Sequence, residues 1–138
     1  MRWWFAGLFV IQAHFCASFL VPLDTQAKST FGGLLGWAWP WGIGDSGLAG
    51  TRDLTVGGMS VPVFFVAMLA AAAFIVAALS VFGWLVPAPW WRYAAFVGAV
   101  ASLFVMAMYF GPTKLIPIAG DLAVIWLVLS PPALVHAG

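Results

Sequence analysis

Residues 62–86 and 91–110 form two apolar runs, each about as long as a bilayer crossing, with no ionisable side chain in the middle of either. A helix needs about 20 predominantly apolar residues to traverse the hydrocarbon core of a membrane. Inside that core there is no water to satisfy backbone N–H and C=O groups, so such a run must close its own hydrogen bonds as a helix. Two further runs, residues 3–21 and 115–129, read the same way. The charge content agrees. Only 7% of the side chains are charged and 64% are hydrophobic, whereas a soluble domain carries about 25% charged residues. The sequence therefore predicts an all-α fold in one domain: a four-transmembrane-helix bundle with a long Trp/Gly-rich loop, residues 22–61, between the first two helices.

The ends of the runs carry boundary signals. Trp3 and Trp4 suit headgroup level at one end of the first run, and Pro22 with Asp24 closes the other. Arg2 followed by an apolar stretch resembles a signal peptide, but no small-x-small cleavage site follows, so the segment is read as a span. Ser60 is the expected N-cap of the second span and Pro62 fits its first turn. Its end is placed near Val86. Residues 87–92, Pro-Ala-Pro-Trp-Trp-Arg, make a tight hairpin, so spans two and three should be antiparallel neighbours. Residues 111–114, Gly-Pro-Thr-Lys, are an equally short connection, and Pro131-Pro132 stops the last span. The long first connection is interfacial or extracytoplasmic. Its Trp37, Trp39 and Trp41 are expected at the membrane surface, either as anchors or stacked on a ligand ring such as a quinone or pigment.

In lipid, helices pair through close packing of small residues. Span three offers Ala94, Gly98 and Ser102 at four-residue spacing. Span two offers residues 70–73, all alanine, then Ala77 and Ala78. These stripes serve either the packing of spans two and three on each other or a homodimer seam.

Asp121 is the most pointed candidate site. An ionised side chain in mid-membrane costs roughly 3 kcal/mol and so requires a partner or water. Lys114 lies two turns earlier on the same face. Pro117 is expected to interrupt the helix between them and leave a kink beside the acid. A proton, cation or ligand site is one reading, and a structural Asp bonded to a neighbouring helix is the other. His14 is the second candidate. It lies mid-way along span one, with Ser18 one turn on and Gln12 and Cys16 on a flanking ridge, so this polar face should look inward. Its imidazole could ligate haem or a pigment magnesium, or relay a proton to Asp121.

Other classes are excluded. A net charge of +1 offers no field for nucleic acid. Residues 42–47 match G-x-G-x-x-G but lack the flanking strand and helix of a dinucleotide site. Ser46 within that stretch lacks the context of a serine nucleophile. No metal-ligand motif and no catalytic constellation is present.

The four-span plan, the Pro-Trp-Trp-Arg92 hairpin and the run from Tyr109 to Ala123 (YFGPTKLIPIAGDLA) resemble small bacterial membrane proteins of the DoxX-like kind over spans two to four. Span one departs from them, lacking a glycine-then-lysine end, and the long loop is additional. The resemblance implies a partner of redox or photosynthetic membrane complexes, and it carries no functional residue over. The expected function is thus a non-catalytic accessory subunit of a larger complex, binding lipid, quinone or pigment. The alternatives are a proton-coupled carrier working as a homo-oligomer through Asp121, and a haem- or pigment-binding electron-transfer protein using His14. The expected location is the bacterial cytoplasmic membrane, with both termini cytoplasmic.

Overall fold

A computed structural model describes residues 2–18 and 61–130. Among them the chain is entirely helical, with four α-helices and no strand: α1 (Arg2–Ser18), α2 (Val61–Phe82), α3 (Trp91–Met108) and α4 (Leu115–Leu129). Short 3-10 turns, Ala88–Trp90 and Pro112–Lys114, lead into α3 and α4. Three segments, Val63–Phe82, Ala88–Met108 and Pro112–Leu129, are long and apolar enough to cross a membrane. The Trp-rich loop, Ser60, Pro131-Pro132 and His136 lie outside the described residues.

Helix α2 packs along both α1 and α3, while α4 lies mainly against α3 and touches α1. Each helix turns one stripe inward. On α3 the buried stripe is Trp91, Ala95, Gly98, Ala99, Ser102, Val105 and Met106, and on α4 it is Pro117, Asp121, Val124 and Val128. The outward positions are large and apolar, among them Phe65, Leu69, Phe96, Phe104, Leu122 and Trp126. A soluble helix has a polar outer face; these outer faces suit lipid tails.

The small residues of α2 and α3 do meet. A Cβ placed on Gly98 would lie 3.1 Å from the Phe74 ring, so the absent side chain is what lets the ring sit on the α3 backbone. Phe74 in turn stacks on Phe9 of α1 at 6.5 Å between ring centroids, and Phe9 stacks on Trp91 at 6.2 Å. Gly98, Phe74, Phe9 and Trp91 therefore knit α1, α2 and α3 together.

Helix α2 ends at Phe82, not near Val86 as hydropathy suggested. The reason is Gly83, which adopts a left-handed φ of 69°. Its N–H donates to the Ser80 carbonyl (2.9 Å) and the Trp84 N–H donates to Leu79 (3.0 Å). This pair of bonds is the Schellman arrangement, which satisfies carbonyls at a helix C-terminus and turns the chain away. Leu85 is also left-handed (φ 61°) and fully exposed at the hairpin tip. Across the hairpin, Arg92 of α3 donates from its guanidinium to the Val128 carbonyl. That carbonyl belongs to the last turn of α4, which has no intrahelical donor and favours a cation. Arg92 thus joins the start of α3 to the end of α4.

Candidate functional site

Near the middle of α4 the carboxylate of Asp121 is wholly buried, with 0% exposure. Both of its oxygens are engaged by neighbouring helices. The Gln12 amide of α1 donates to Oδ1 at 2.7 Å, and the Ser102 hydroxyl of α3 donates to Oδ2 at 2.5 Å. The Gln12 Nε2 also donates to the Pro117 carbonyl at 2.9 Å. A primary amide has two N–H donors, and here each has an acceptor on α4. Cys16, one turn beyond Gln12, is buried on the same ridge. Three helices are therefore tied together by polar bonds at one depth. Helix α2 takes no part; its one buried hydroxyl, Ser80 Oγ, has no hydrogen-bond partner.

The site depends on one glycine. A Cβ on Gly120 would fall 2.7 Å from Gln12 Nε2 and 2.8 Å from its Cδ and Oε1. The amide of Gln12 lies flat on the α4 backbone in the space a side chain would fill. Gly120→Ala is expected to push the Gln12 amide off both acceptors. The cost is about 1–2 kcal/mol, the worth of two interhelical hydrogen bonds in a membrane. Unfolding in detergent micelles measures it, and Gln12→Ala in the Gly120→Ala background should then add little.

Two expectations from the sequence are corrected. Pro117 makes no kink: α4 begins at Leu115, so Pro117 sits in the first turn, where a missing N–H breaks no helical bond. The inward polar ridge of α1 is Gln12 and Cys16, and His14 faces outward, its ring tilted against Phe15 at 5.8 Å. His14 is two positions on from Gln12, which is about 200° around a helix, so both could not face Asp121. The Ser18 hydroxyl turns back onto the Phe15 carbonyl at 2.6 Å, within its own helix. Lys114 is fully buried at the entrance to α4, close enough to Gly111 that a Cβ there would meet its Nζ at 3.7 Å. Trp37, Trp39 and Trp41 lie outside the described residues.

Sequence reasoning named Gln12 only for an inward polar ridge and Ser102 only for a small-residue stripe; it did not pair either with Asp121. Gln12 was visible as an amide in an apolar run, and Gly120 beside Asp121 was a sign of close backbone approach. No protein-family model, no curated protein and no solved structure matches the chain.

Proposed function

We propose that the chain is a non-catalytic, four-span accessory subunit of a larger complex in the bacterial cytoplasmic membrane, of redox or photosynthetic type. In this reading α1 is the fourth span. The observation that carries the proposal is the closure of the inner polar groups on one another: Gln12 and Ser102 take both oxygens of Asp121. Groups spent on holding helices together leave no open reaction centre there, and the large apolar outer faces remain for lipid and partner helices. The DoxX-like resemblance supports the same reading by analogy. Arg2 and Arg92 lie at the same end of the helices, which favours that end, and with it the N-terminus, on the cytoplasmic side.

Mild solubilisation from native membranes tests the proposal. A particle of fixed stoichiometry that contains other membrane subunits supports it. A clean monomer or homodimer with no bound cofactor contradicts it.

The second reading is a proton-coupled carrier working as a homo-oligomer through Asp121. It is favoured by the presence of a buried carboxyl group within an apolar helix, a position where such groups are costly and commonly functional. It requires that flux vanish in Asp121→Asn. A visible absorption band in the purified protein would favour haem or pigment ligation by His14 instead.

A further inference from the structure

At the hairpin end a groove of about 810 Å³ opens between the start of α1, the end of α2, the start of α3 and the end of α4. Arg2 and Arg92 line it, together with apolar and aromatic side chains that include Phe5, Tyr93, Phe96 and Val128. No carboxylate is among the described residues lining it. Two cations at the mouth of an apolar cleft call for an amphiphile with an anionic head.

The position of the groove decides which amphiphile. Trp3, Trp4, Trp84, Trp90 and Tyr93 are all exposed around the same end. Exposed Trp and Tyr at one level mark the headgroup region of a bilayer. The groove therefore lies where phospholipid headgroups lie, and its apolar walls run toward the acyl region. Arg92 is held in place by its bond to the Val128 carbonyl. A guanidinium has five N–H donors in a fork suited to phosphate oxygens, and the carbonyl engages one of its nitrogens. The volume far exceeds a phosphate ion and falls in the range of pockets that hold a sizeable organic group.

We propose that this groove is a binding site for an anionic phospholipid of the leaflet on the hairpin side, with Arg2 and Arg92 on the headgroup phosphates and the aromatic walls on the first part of the acyl chains. The proposal rests on the helices being membrane spans and not on the accessory-subunit reading, so its test is scored on the isolated protein.

The test uses the full chain in a neutral detergent, mixed with equal amounts of phosphatidylglycerol and phosphatidylcholine bearing the same acyl chains. Native mass spectrometry counts what stays bound. A basic side chain at an anionic membrane surface contributes roughly fivefold in affinity, so two give a preference for phosphatidylglycerol on the order of twentyfold. Arg2→Gln with Arg92→Gln is expected to abolish the preference. Because Arg92 also caps α4, its loss could unfold the protein; Arg2→Gln alone should then lower the preference about fivefold, with helicity unchanged. Equal binding of the two lipids overturns the proposal, as does an unchanged preference in Arg2→Gln. Displacement of phosphatidylglycerol by millimolar inorganic phosphate also overturns it, in favour of a simple anion site.

Discussion

Asp121→Leu is expected to insert into the membrane at least as well as the wild type and yet to weaken the association of α4 with α1 and α3 by about 2 kcal/mol, some thirtyfold. The two effects have opposite signs because they belong to different steps. Leucine removes the roughly 3 kcal/mol cost of placing an acid in hydrocarbon. It also removes the acceptor for Gln12 and for Ser102, and a buried donor without an acceptor costs about 1–3 kcal/mol. Asp121→Asn is the informative partner. Its side-chain oxygen can accept from Gln12, and its amide can donate to Ser102 once that hydroxyl rotates. The asparagine variant should therefore lie within about 0.5 kcal/mol of wild type, since both interhelical bonds survive. Glycosylation mapping reads the insertion step, and unfolding in mixed micelles reads association. An asparagine variant as damaged as the leucine variant would show that the bonds observed here are not what Asp121 contributes.

The second large effect concerns Phe74 and Gly98. Phe74 is fully buried, with its ring on the backbone of α3 and against Phe9. Phe74→Ala should cost about 3–5 kcal/mol through the cavity it leaves between α1, α2 and α3. Gly98→Leu should cost about 1–3 kcal/mol by driving a side chain into the ring. The double variant is expected to be more stable than the sum of the single losses by about 1 kcal/mol or more, because leucine at 98 fills the space vacated at 74. Strict additivity would mean that the two residues do not share one packing site.

These two sites differ in how legible they were. The contact between α2 and α3 follows from local features: a short Pro-containing hairpin forces the helices together, and alanine and glycine stripes at helical spacing allow them to approach. Asp121 was equally visible as a charge within an apolar run. Its partners were not, because they depend on the rotation of α1 and α3 about their own axes, which no local pattern specifies. Lys114 was the acid's expected neighbour by spacing along one helix. The bonds observed come from Gln12 and Ser102 on two other helices. The end of α2 failed for a different reason. Hydropathy continues to Val86, but the left-handed Gly83 and its pair of C-terminal bonds end the helix first. Pro117 was misjudged although the span was already started at Leu115: two positions from the first helical residue, its missing N–H is one that no helical bond would use.

In the proposed function Asp121 clamps three helices together and takes no part in transport. Proton flux into liposomes tests it most directly, with wild type and Asp121→Asn reconstituted at equal density and empty liposomes as the baseline. Both proteins are expected to match the baseline, because the carboxylate is buried and bonded to Gln12 and Ser102. Flux through the wild type that disappears in Asp121→Asn would contradict it and establish the carrier reading.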